Sequence, residues 1–142
     1  MPVEVKAKVV LKDKMVFIGK GHSDHEVRID YLAPLGGDDG LTPTELLLVS
    51  LASCSAQTVL ALLRRMEKTV EAMEVQASGS RQDEHPTVFT GIELNFSLRG
   101  NGLDSLSVEK AIRRAEEKYC PVWGMLKKSV PISWKRSDYK AS

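Results

Sequence analysis

From Leu46 to Leu63 the chain carries no charged residue, and this stretch constrains the fold more than any other. Its start is marked by Thr42-Pro43-Thr44-Glu45, a capping box. The Thr42 hydroxyl can accept from the third helical amide, and Glu45 can reach back to the Thr42 amide. Pro43 fits the first helical position, where its missing N–H leaves nothing unsatisfied. The spacing predicts a helix that ends near Arg64–Glu67. A membrane span needs ~20 apolar residues. Ser50, Ser53, Ser55, Gln57 and Thr58 interrupt this run, so a membrane partner is not expected. A helix so apolar all round belongs at the centre of a globular protein. A chain of 142 residues can hardly surround it, so a partner subunit is expected to help.

The rest of the composition is ordinary. The chain is 42% hydrophobic and 27% charged, as in soluble globular proteins, and one domain spanning 1–142 is expected. A net charge of +1 gives no electrostatic reason for a nucleic-acid partner. Met1 leads into alternating Val3, Val5, Ala7 and Val9 rather than an apolar block. No signal peptide is expected and a cytoplasmic location is, where a permanent disulfide would be unusual.

Residues 3–11 alternate as a strand, with Lys12-Asp13-Lys14 turning into a second strand at Met15–Ile18. Gly19 and Gly21 are expected to break it. A third strand covers 26–32, and APLGGDDGLT (33–42) is a loop. Two more strands follow the apolar helix, at 71–81 and 88–99. Ser107 is the expected N-cap of a helix over 108–119, whose apolar face is Val108, Ala111, Ile112, Ala115 and Tyr119. Pro121 ends that helix and opens a short one, Val122–Lys127. A last strand covers 130–136. The order βββ-α-ββ-αα-β defines an α+β protein with a long buried central helix.

Cys54 and Cys120 are the only thiols. On the apolar helix Ser50, Cys54, Thr58 and Ala61 form a stripe of small residues, which suits close helix packing or a ligand. Cys120 precedes Pro121 in an N-cap-like position, where helical amides favour a thiolate and are expected to lower its pKa. His22-Ser23-Asp24-His25 reads as a solvated turn rather than a metal site. No C-x-x-C, H-E-x-x-H or phosphate loop is present, so neither metal nor cofactor is expected. Arg64-Arg65 and Lys127-Lys128 read as solvated helix ends.

The segment LTPTELLLVSLASC resembles the P-x-E-L-L-x-x-x-x-x-x-C helix of the OsmC/Ohr family (osmotically induced protein C and organic hydroperoxide resistance proteins). AEEKYCPV resembles that family's second-cysteine motif. His85-Pro86, Phe89-Thr90 and EKYCPV point to the OsmC-like branch. The resemblance implies an OsmC-like fold in an intertwined homodimer, with central helices packed side by side. It implies that Cys54 is a peroxidatic nucleophile and Cys120 a resolving thiol. The substrate would be an organic hydroperoxide or hydrogen peroxide, and the reductant a dithiol or lipoyl-linked thiol. The family's peroxidases carry a glutamate directly after the helix proline, bonded to an arginine that activates the cysteine. Thr44 stands there in this chain, and the nearest carboxylate, Glu45, lies one residue or ~100° further round the helix. Arg28 is the nearest candidate for the activating arginine. This departure keeps a second reading open, a small-molecule-binding or redox-sensing protein without efficient peroxidase chemistry. A purely structural dimer with inert thiols is the third.

Overall fold

The computed structural model describes residues 3–140. The chain parts into two compact units, Met1–Leu47 and Leu48–Ser142. The boundary falls inside the apolar helix.

The first unit is a three-stranded antiparallel sheet of β1 (Lys8–Asp13), β2 (Val16–Lys20) and β3 (Glu26–Ile29), in the order β1-β2-β3. Strand β1 starts at Lys8, so the alternating residues 3–7 lie outside it. Its expected inward face is not covered within the sheet: Val9, Val10 and Leu11 are all more than half exposed. The turn centres on Lys14 and Met15, with Lys14 at φ 53°. Gly19 does not break β2. It sits mid-sheet between Val9 and Val27, and a Cβ there would meet Val27 Cγ1 at 3.0 Å. Glycine makes room for its neighbours' branched side chains rather than ending the strand.

After β3 the loop is gathered round Asp30, which is 2% exposed. Its carboxylate accepts from the amides of Tyr31 (2.7 Å), Gly37 (3.2 Å) and Asp39 (3.0 Å). These bonds, the Tyr31 amide first, hold its pKa below the usual carboxylate range. Gly36 is required here, because a Cβ would lie 2.2 Å from the Tyr31 carbonyl oxygen.

Helix α1 (Pro43–Arg65) starts where the capping box predicts. Thr42 N donates to Glu45 Oε1 at 2.9 Å, and Glu45 N donates to Thr42 Oγ1 at 3.3 Å. By length and composition alone α1 would also cross a bilayer. In the second unit, however, Leu51, Ser55, Val59, Leu62 and Leu63 form one buried face. Ser55 satisfies its hydroxyl on the Ala52 carbonyl at 3.0 Å. The burial expected all round is not met among the described residues: Leu47 and Val49 are 39% and 46% exposed.

The second unit carries the sheet β4 (Ala72–Arg81), β5 (Phe89–Arg99) and β6 (Ile132–Asp138). Strands β4 and β5 are antiparallel, whereas β6 runs parallel to β5. A parallel neighbour needs a crossover. Here α2 (Ser105–Arg114), a π-helical turn (Ala115–Tyr119) and α3 (Pro121–Leu126) supply it. Alternate residues Ile92, Leu94 and Phe96 of β5 face the core, which also takes in Val108, Ala111, Ile112, Ala115, Cys120 and Trp123. Trp123 stacks on Phe96 with centroids 6.4 Å apart.

The cap of α2 is Asp104, not Ser107. Asp104 Oδ2 accepts from both the amide and the hydroxyl of Ser107 at 3.0 Å. Both residues are able caps, and the chain uses the one three positions earlier because Lys68 pairs with its carboxylate at 3.0 Å. Lys68, then the Ser107 amide and hydroxyl, hold the Asp104 carboxyl far below its ordinary value. A depressed folded pKa stabilises above the unfolded value, and that contribution drains away as pH falls below about 4. Asp104→Ala should therefore lower the urea midpoint at pH 7, and the gap to wild type should narrow at pH 3. An equal gap at both pH values would show that the charge does not support this cap.

Candidate two-thiol site

Cys54, Thr58, Ala61 and Arg65 recur at i, i+4, i+7 and i+11 on α1, so they share one face beside the buried one. With Gln57, Leu62 and Tyr119 they line an open cavity of about 330 Å³. The Thr58 hydroxyl donates to the Cys54 carbonyl at 2.8 Å, which leaves the Cys54 sulfur uninvolved in that bond. Cys54 is half-buried. Ser50, the expected first member of the stripe, does not line the cavity.

Cys120 is delivered by the π-helical turn. Its amide donates to the Ala115 carbonyl, five residues back, at 3.0 Å. Being followed by Pro121, it leaves the helical region, at φ −91° and ψ 107°. The side chain points into the core and is 3% exposed. Val108, Ala111, Ile112 and Ala115 are buried as their periodicity predicts, but Tyr119 is 41% exposed and lines the cavity. The wider turn shifts everything after Ala115 out of the α-helical phase, which the regular spacing did not foretell.

The lowered pKa expected for Cys120 is corrected. Burial pushes the thiol up from 9.0 to about 11. The Trp123 and Val122 amides pull the other way, and the neighbouring Cys54 pushes it up again. Cys120 makes no side-chain capping bond of normal geometry, and α3 is only six residues long. Its dipole is too weak to outweigh loss of water. Both cysteines are free thiols. At pH 8 Cys120 should hold about a hundredfold less thiolate than an ordinary cysteine. Iodoacetamide should thus alkylate Cys54 at least about tenfold faster than Cys120. Peptide mapping over time reads this out, and equal rates would contradict the burial of Cys120. A raised folded pKa also stabilises only below the unfolded value, so this contribution is lost as pH rises from about 9 to 11.

The other sequence candidates have partners of their own within the first unit. Arg28 donates Nε to the Asp39 carbonyl at 2.8 Å and Nη2 to Asp39 Oδ2 at 2.7 Å. Glu45 Oε1 accepts from the amide and the hydroxyl of Thr42, both at 2.9 Å. The Thr42 amide, then its hydroxyl, hold the Glu45 carboxyl below its usual range. In the His22–His25 turn, Ser23 Oγ and His25 Nδ1 lie 3.0 Å apart. No group of three metal-ligating residues occurs among the described residues. Sequence reasoning missed Arg65 and Tyr119 as site residues. Arg65 had a signal, since it continues the Cys54 stripe by one more helical step.

Fold and site together define an α+β protein with one free thiol, Cys54, on its long apolar helix and a second, Cys120, at the start of α3. The profile of the OsmC-like protein family matches residues 36–135. Protein YhfA of Escherichia coli K12 is 33% identical over 129 residues, 91% of this chain and 94% of that protein. The chain belongs to the OsmC-like family. The crystal structure of a hypothetical protein from Aquifex aeolicus VF5 matches with TM-score 0.81 at 30% identity, covering 99% of this chain and all of that one. An organic hydroperoxide resistance protein OsmC of Legionella pneumophila, also described as a predicted redox protein, shares the fold with TM-score 0.72 at 16% identity. It covers 95% of this chain and 97% of its own.

Proposed function

We propose that the protein is a thiol-dependent peroxidase that reduces organic hydroperoxides or hydrogen peroxide through Cys54 and Cys120. The observation that carries this reading is the pairing of two free thiols, one opening on a cavity and the other buried beside it. Cys54 as thiolate attacks the terminal peroxide oxygen. An S–O bond forms and the O–O bond breaks, so sulfur is oxidised and the peroxide leaves as alkoxide, which takes a proton from water. The Cys120 thiol then attacks the Cys54 sulfenic acid, a disulfide forms and water departs. A dithiol or lipoyl-type reductant resets the pair by exchange and ends as its own disulfide. No metal or cofactor enters these steps. The name of the Legionella neighbour agrees with this chemistry.

A homodimer fits the half-open α1: a second copy would cover apolar residues that the chain leaves exposed on this helix, such as Val49. The family match runs across the boundary between the two units, which supports their working as a single OsmC-like domain. Need for a dithiol favours the cytoplasm.

One observation favours a second reading, a ligand-binding or redox-sensing protein with slow turnover. Glu45 is used as a cap and Arg28 is bound to Asp39, so neither is idle. The two readings separate in one assay. A peroxidase consumes cumene hydroperoxide catalytically with a dithiol. Formation of one disulfide per chain without turnover would defeat the first reading and sustain the second.

A further inference from the structure

Arg65 is the one charged residue lining the Cys54 cavity. It stands eleven residues beyond Cys54, so ~16 Å along the helix axis and within ~20° of the same face. Helical side chains lean towards the helix N-terminus, which is the direction of Cys54 from Arg65. It makes no ion pair among the described residues. Between the two ends lie Ala61, too small to fill the groove, and Leu62, which gives it an apolar floor. Tyr119 forms part of the same wall. The cavity thus has a nucleophile at one end, a free cation at the other, and between them Gln57 and Thr58 followed by the apolar Ala61 and Leu62. Its volume of about 330 Å³ suits an extended small molecule.

We propose that Arg65 is a substrate-binding residue that selects amphipathic hydroperoxides carrying an anionic group at the end remote from the peroxide. The carboxylate or other anion pairs with the guanidinium, the apolar body lies over Ala61 and Leu62, and the O–O bond reaches Cys54. The inference rests on the peroxidase reading for its reaction, but the binding of an amphipathic anion stands without it. Guanidinium presents paired donors that match a carboxylate, which an amine matches less well.

The test compares an alkyl hydroperoxide bearing a terminal carboxylate with its methyl ester. Wild type should prefer the carboxylate in kcat/KM. Arg65→Gln should lower the carboxylate-to-ester ratio about tenfold, mainly through KM, and Arg65→Lys should restore part of it. The wild-type preference should shrink as salt is raised, since the site is open to solvent. A second arm needs no turnover: decanoate should slow iodoacetamide alkylation of Cys54, decanol should not, and Arg65→Gln should remove the protection. An unchanged substrate ratio in Arg65→Gln, or equal protection by decanoate and decanol, overturns the proposal. If wild type consumes neither peroxide, the peroxidase reading alone fails and the protection arm decides the role of Arg65.

Discussion

Cys54→Ser should lower hydroperoxide turnover on the order of a thousandfold or more, to the rate of the reductant alone. The reason is chemical rather than geometric. Serine fills nearly the same volume on the cavity wall, but its hydroxyl stays protonated at any pH the protein survives. It also lacks the polarisable sulfur that attacks an O–O bond. Cys120→Ser separates the two steps. Its partner can still be oxidised, so one hydroperoxide is consumed per chain, and Cys54 accumulates as a sulfenic acid with one added oxygen by mass spectrometry. Further cycles then depend on the external thiol reaching the cavity directly. The wild type, treated with one equivalent of peroxide, should instead yield the Cys54–Cys120 disulfide. If Cys54→Ser consumed peroxide as fast as wild type, Cys54 would not be the nucleophile.

Trp123→Ala should destabilise the fold by about 3–5 kcal/mol, as large aromatic truncations in packed cores do. That is a large part of the ~5–15 kcal/mol a domain of this kind holds. Trp123 is fully buried, stacks on Phe96 and stands three residues after Cys120 in the crossover. The stack itself is worth ~0.5–1.5 kcal/mol beyond area burial. The indole also carries a penalty, because Nε1 has no hydrogen-bond partner among the described residues. Leaving such a donor unpaired costs about 1–3 kcal/mol. Trp123→Phe removes that donor and keeps an aromatic face against Phe96, so its loss should be well under half that of Trp123→Ala. Urea unfolding gives both values, and the m-value should stay constant if only the native state changes. A Trp123→Ala loss under ~1 kcal/mol would place this ring outside the cooperative core.

What the sequence made legible follows the physics of each signal. The capping box, the proline at the first helical position and the uncharged run located α1 to within a residue or two, because each acts locally. The strand expected at 88–99 likewise corresponds to β5, Phe89–Arg99. Errors arose where a local signal had to be weighed against its surroundings. Ser107 is a good cap by type, yet Asp104 takes the role because Lys68, distant in sequence, joins it. Gly19 looks like a strand breaker until the branched side chains on either side claim its space. Cys120 carries a helix-start signature, but burial reverses its effect on the thiol, and burial is not written in a tripeptide. The pair itself was legible as two motifs. The cavity around Cys54 was legible only in part, because Tyr119 enters it through a register shift that no periodic pattern announces.

That shift has a developmental corollary for the chain as a text that mutates. A π-turn holds one residue more than the α-turn it replaces. Between Ala115 and Cys120, therefore, the number of residues carries information separate from their identity. Losing any one of them would leave composition and hydrophobicity almost unchanged. It would still rotate the tyrosine away from the groove and the second sulfur away from the first by ~100°. The segment should accept many substitutions and no change of length.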